Sequence, residues 1–125
     1  MAHEAVTVEH LQAFADAFNR HDAEAVMSFM TEDCIFEASA GRDSCGTRHV
    51  GREAVRAAFE DVWTTFGDAA WRDPRHFVCG DRGVSEWTFT GTTAEGTRLE
   101  VHGCDLFTFH NGKIALKNSY RKNRR

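Results

Sequence analysis

The stretch GCDLFTFHNGKI, residues 103–114, decides how this chain is read. It is an apolar, aromatic strand running into Asn111-Gly112, a strong short-range signal for a hairpin. One carboxylate, Asp105, stands inside it. A carboxylate on a buried face is costly unless it is partnered or neutralised, so this acid has either a structural partner or a chemical task.

Working outward, the second half of the chain repeats the same vocabulary. Segments AAWRDPRHFVC (69–79), GVSEWTFTGT (83–92), TRLEVHGCDLFTF (97–109) and KIALKNSYRK (113–122) are rich in β-branched and aromatic residues. Turn signals follow them at Gly80 to Gly83, at Ala94-Glu95-Gly96 and at Asn111-Gly112. Four consecutive antiparallel strands are expected. Pro74 cannot donate to a ladder, so its strand lies at an edge or begins after it.

The first half changes period. From Val8 to Asn19, Leu11, Phe14, Ala15 and Phe18 recur at helical spacing. Asp22 is placed to cap a short second helix burying Ala25, Val26, Phe29 and Met30. DCIFEA (33–38) is a brief strand, and SAGRDSCGTRHV (39–50) a polar loop of the kind that covers a site. From Arg52 to Phe66 the positions Val55, Ala58, Phe59, Val62, Trp63 and Phe66 form the strongest helical stripe. The fold class expected is α+β: three N-terminal helices packed in a curved, mostly antiparallel sheet that wraps the third helix and leaves an open, aromatic-lined cone.

Composition agrees with one globular domain over residues 1–125. The chain is 42% apolar, with ten phenylalanines needing a core. A formal charge of −4 argues against a nucleic-acid partner, and the basic tail at about 121–125 reads as a solvated strand end. Apolar runs fall far short of the roughly 20 residues a membrane span needs. Cys34, Cys45, Cys79 and Cys104 form no CxxC pair and no secretory leader is visible, which points to a reduced, cytoplasmic protein. No Cys/His spacing suggests a metal site.

The order of elements, with FADAFNRHDAEAVMSFMTEDCIFE (14–37), GREAVRAAF (51–59) and GCDLFTFHNGKI (103–114), resembles the NTF2-like superfamily, and within it the SnoaL-like cyclases and ketosteroid isomerases. The resemblance implies a cone-shaped pocket, no cofactor, and a homodimer through the outer face of the sheet. It places Asp105 where these enzymes keep a carboxyl group for acid/base or oxyanion work, and makes 117, 119 and 121 pocket-facing, which brings in Lys117 and Ser119. Other familiar fixtures are missing. The isomerase base position is Ala38, and Glu37, one residue earlier, faces the other way on a regular strand. The isomerase tyrosines fall on Phe14, Met30 and Phe59, and phenylalanine donates no hydrogen bond. Gly91-Thr92 is followed by Thr93, where the SnoaL-like pattern often carries a histidine.

Two turn geometries compete for the partner of Asp105. A two-residue I′ turn at Asn111-Gly112 puts Asp105 opposite Asn118, where it can stay protonated and donate to a carbonyl. A three-residue loop His110-Asn111-Gly112 puts it opposite Lys117, where it is held ionised. Alternation of Ile114, Leu116 and Tyr120 favours Asn118; the resemblance favours Lys117. Because both faces of such a sheet can be buried, alternation is the weaker guide and Lys117 is preferred.

Phe14, Phe59, Trp63, Trp87 and Phe107 are candidates for the pocket wall, with Asn118 and Ser119, although aromatics at such spacing also build plain core. His102, three residues from Asp105, belongs to the opposite face. His49, closing the 39–50 loop, is an outside candidate for acid/base work, and Arg42, Asp43 and Arg48 could gate entry. The expected function is cofactor-free proton transfer on a small, apolar, carbonyl-bearing molecule with Asp105 and Lys117 as the catalytic pair. The alternative is a ligand-binding or dimeric assembly module that kept the fold without catalysis.

Overall fold

The computed structural model describes residues 5–124. Helix α1 (Val8–Asn19) opens with a reciprocal cap, in which the Thr7 hydroxyl accepts the His10 N–H at 3.2 Å and the Thr7 N–H donates to His10 Nδ1 at 3.1 Å. Its buried stripe is Leu11, Phe14, Ala17 and Phe18. The Asp22 carboxylate accepts from the Ala25 N–H at 3.1 Å and starts α2 (Ala23–Ser28). Strand β1 (Met30–Glu37) follows at once, three residues earlier than Asp33.

The stretch 39–50 is not all loop. Arg48–Val50 forms strand β2, antiparallel to β1 with Glu37 opposite Arg48. Helix α3 (Arg52–Thr65) comes next and buries Val55, Phe59 and Trp63. The helices therefore do not form one N-terminal block: β1 and β2 intervene before α3, which packs against both.

Strands β3 (Ala70–Cys79), β4 (Arg82–Thr92), β5 (Arg98–His110) and β6 (Lys113–Arg121) complete a curved six-stranded sheet in the order β2-β1-β6-β5-β4-β3. The architecture is α+β, and only the β1/β6 pair is parallel. Pro74 lies on β3, an edge strand, where the register shifts between Arg72 and Arg75. Most of the core lies between the three helices and the sheet, around Phe14, Phe18, Val26, Met30, Phe59 and Phe107. A second cluster, Ala69, Trp87, Phe89 and Val101, fills the end near β4, and Trp71 packs against both.

The β5/β6 hairpin matters most for function. Asn111 (φ 50°) and Gly112 (φ 77°) form a two-residue turn with both central residues left-handed, and Phe109 pairs with Ile114. The register then slips: Thr108 pairs with Leu116, leaving Ala115 as an extra residue on β6. Asp105 accordingly lies opposite Ser119, and neither Asn118 nor Lys117 is its direct neighbour. The bulge also breaks alternation along β6, so that Ile114 and Lys117 share the inner face while Leu116 and Asn118 turn outward.

Candidate functional site

Four groups converge on the inner face of β4, β5 and β6. Lys117 Nζ donates to Asp105 Oδ1 at 3.0 Å and to Ser119 Oγ at 3.1 Å. The Ser119 hydroxyl donates to Asp105 Oδ1 at 2.5 Å, and Trp87 Nε1 donates to Asp105 Oδ2 at 2.9 Å. Asp105 and Lys117 are each only 5% exposed. Three donors on one carboxylate suit its ionised, acceptor-only form. Lys117 comes from the position opposite Phe107, so it reaches Asp105 along the diagonal of the hairpin. Its ammonium also lies 4.9, 5.0 and 5.6 Å from the ring centroids of Phe18, Phe36 and Phe59, which favour a cation on their faces.

Asp105 belongs to a polar row running straight across the sheet. His76 on β3 pairs with Ser85 on β4, Ser85 with Asp105, and Asp105 with Ser119. His76 Nδ1 is 2.7 Å from Ser85 Oγ, and its Nε2 is 3.0 Å from Gln12 Oε1 on α1. A neutral imidazole satisfies both contacts, accepting the Ser85 hydroxyl proton and donating to Gln12. Burial lowers the His76 pKa from its ordinary value, with Asp16 opposing. The Gln12 amide continues the chain to Asp16 Oδ1 at 2.9 Å. A small void of about 20 Å³ is bordered by His76, Ser85, Asp105 and Lys117.

Lys117 and Ser119 also face a cavity of about 370 Å³, a size that suits a small ligand. Aromatic side chains, Phe36, Trp71, Trp87 and Phe89 among them, supply much of its wall, and its polar groups include His49, Asp61 and Arg121. His49 stacks on Phe36 with centroids 5.7 Å apart, so His49 and the Lys117 ammonium both stand against that ring. Ala38 lines the cavity where an isomerase would hold its base. Glu37 does not reach it, being bound to Arg48 through a 2.8 Å ion pair that also removes Arg48 as a free gate. Asp105 does not line this cavity. It sits behind Lys117 and Ser119.

Among the wall candidates, Phe59 and Trp87 line the cavity. Phe14 and Phe107 do not. They meet edge to face at 6.0 Å and border only the small void beside Asp105. Trp63 is core, packed on Phe18 at 5.0 Å and stacked on His21 at 5.5 Å. Asn118, displaced outward by the bulge, donates to the Tyr120 hydroxyl at 3.2 Å on the other face. Sequence reasoning passed over His76, Ser85, Trp71 and the role of Arg121. Only Arg121 had a signal, the pocket-facing positions 117, 119 and 121 that the family resemblance implies. Among the described residues no three His, Cys, Asp or Glu side chains converge as metal ligands would.

A second, shallower groove of about 610 Å³ lies on the outer face along Glu86, Thr88, His102, Cys104 and Tyr120, and meets the cavity at Trp87 and Arg121. No helix among the described residues is long and apolar enough to cross a membrane.

With this geometry in place, the chain compares as follows. Residues 11–117 match the SnoaL-like domain family. The chain belongs to that family. The SnoaL-like fold recurs in a candidate polyketide cyclase from Pseudomonas putida KT2440, 25% identical, TM-score 0.83, covering 95% of this chain and 92% of that one. An NTF2-like protein of unknown function from Mesorhizobium loti is 29% identical, TM-score 0.74, with 92% and 89% covered. A protein from Catenulispora acidiphila with a ketosteroid isomerase-like fold is 18% identical, TM-score 0.80, with 92% and 86% covered. No functionally curated protein matches the sequence.

Proposed function

We propose that this SnoaL-like protein is a cofactor-free acid/base enzyme of the isomerase, cyclase or dehydratase type, acting on a small, largely apolar, carbonyl-bearing molecule held in the cone. The observation that carries this is the buried Asp105–Lys117 pair set behind an aromatic cavity, with Lys117 and Ser119 at the wall. The Lys117 ammonium polarises the substrate carbonyl and stabilises the enolate oxygen as charge develops. Ser119 takes the proton from the adjacent carbon while passing its own to Asp105, and returns a proton when the enolate collapses. His49 is a second acid/base group facing the same space.

Carbonyl polarisation is directly observable. On binding 2-tetralone labelled with ¹³C at its carbonyl, the label is expected to move downfield, and the movement to vanish in Lys117→Met. A shift that survives the substitution would place the oxygen elsewhere.

One observation favours a second reading, a binding module without turnover: Asp105 already accepts from Lys117, Ser119 and Trp87, so its oxygens are occupied by protein donors. Such a module predicts tight binding with no proton exchange. Either way a homodimer through the outer sheet face is proposed, supported by the exposed Phe77 and Tyr120 there, 51% and 53% accessible. Light scattering giving a monomer at micromolar concentration would contradict it. The four unpaired cysteines support a reducing, cytoplasmic setting.

A further inference from the structure

Arg121 ends β6 on the same face as Lys117 and Ser119, and its Cζ lies 4.9 Å from the Phe89 ring centroid at the mouth of the cavity. Gly103, opposite it on β5, keeps the space between Trp87 and the Tyr120 carbonyl free of any side chain. Arg121 is half-buried, yet among the described residues it makes no ion pair and its guanidinium donates no hydrogen bond. Asp61 faces the same cavity but is not within ion-pair distance of it. A partly desolvated cation without a partner is unfavourable, and burial lowers the Arg121 pKa from its ordinary value with nothing opposing.

The two cations of the cavity thus differ. Lys117 is compensated by Asp105 at 3.0 Å; Arg121 has only an aromatic face under it. A guanidinium that rests against a ring and has no hydrogen-bond partner keeps its fork of donors available for two parallel hydrogen bonds to a planar anion.

We infer that Arg121 is an anion-recognition site, and that the ligand class of the cone is a planar, largely aromatic molecule carrying a carboxylate or ionised enol at its outer end. Its apolar body lies along Trp71, Trp87 and Phe89, and its inner carbonyl points to Lys117. The inference rests on the cone being the ligand site.

A matched pair of probes separates the two ideas: 2-naphthoate, and the neutral 2-acetylnaphthalene of similar shape. Both are titrated into ¹⁵N-labelled protein, with the Trp71 and Trp87 indole signals reporting the cavity. Naphthoate is expected to bind about tenfold more tightly than the ketone, a preference worth ~1.4 kcal/mol. Arg121→Gln, which keeps part of the stem over Phe89, is expected to remove the preference while leaving ketone binding within about twofold. Arg121→Lys should retain part of it. Raising the salt should weaken naphthoate alone.

Equal wild-type affinities, or a preference that survives in Arg121→Gln, would overturn the anion site while leaving the apolar cone intact. If neither probe moves the cavity signals, the cone reading falls and the anion site with it. A change of oligomeric state in Arg121→Gln with the preference kept would make Arg121 an interface group and also overturn the inference.

Discussion

Lys117 Nζ lies 3.0 Å from Asp105 Oδ1 although the two residues are not opposite each other in the sheet. With both 5% exposed, each charge depends on the other for its solvation. Removing one partner of such a pair typically costs about 3–5 kcal/mol, whereas replacing both by apolar groups is far less damaging. Asp105→Leu and Lys117→Met are each expected to destabilise by about 3 kcal/mol, and the double variant by clearly less than their sum. A double-mutant cycle from urea unfolding measures the coupling.

The pairing depends on Ala115 standing outside the ladder. Deleting Ala115 would remove the bulge and leave a regular hairpin in which Thr108 still faces Leu116, Phe107 faces Lys117 and Asp105 faces Ser119, so that Lys117 stays on the inner face. The deletion is expected to cost clearly less stability than the roughly 3 kcal/mol expected of Lys117→Met, because it leaves the Asp105–Lys117 pair together. Urea midpoints of the two variants, compared side by side, check this.

Trp87 can reach Asp105 because Gly103 has no side chain. A Cβ at Gly103 would fall on the Trp87 ring and 2.5 Å from the Tyr120 carbonyl oxygen. Gly103→Ala is therefore expected to displace the indole, break its bond to Asp105 and cost about 1–3 kcal/mol. The Trp87 indole N–H resonance should move upfield as that bond is lost.

His76 makes stability depend on pH. Its folded-state pKa is lowered chiefly by burial, so the unfolded chain takes up a proton more readily than the folded one. The contribution is complete above the unfolded value of about 6.5, and stability falls as the pH drops below it, levelling off beneath the folded pKa. Urea unfolding at pH 7.5 and 5.5 should show a larger loss in wild type than in His76→Gln.

Much of the fold was legible because period and turn chemistry agree with tertiary need. The Phe14 and Phe59 stripes, the Asp22 cap and the Asn111-Gly112 turn all stand where local physics puts them. β2 was missed because three residues between polar loop and helix carry no periodic signal. Both sequence registers for Asp105 failed for a specific reason: the turn is the two-residue one, but Ala115 then shifts the strand by one, and nothing in KIALK marks a bulge. Lys117 is the partner of Asp105 through a diagonal that neither register contained. Phe14, Phe107, Trp63 and Asn118 do not line the cavity because spacing gives a face and not what that face meets. His76 and Ser85 were invisible for the same reason, since their partners Gln12 and Asp105 are distant in the chain.

The most direct test is exchange of α-protons for deuterium, followed by NMR in D₂O over a panel of cyclic ketones and β-keto esters, with Asp105→Asn and Lys117→Met shown to be folded. The wild type should accelerate exchange of at least one compound, and each variant should lose about a hundredfold or more of that acceleration. No acceleration for any compound, or acceleration unchanged in both variants, would contradict proton transfer at this pair.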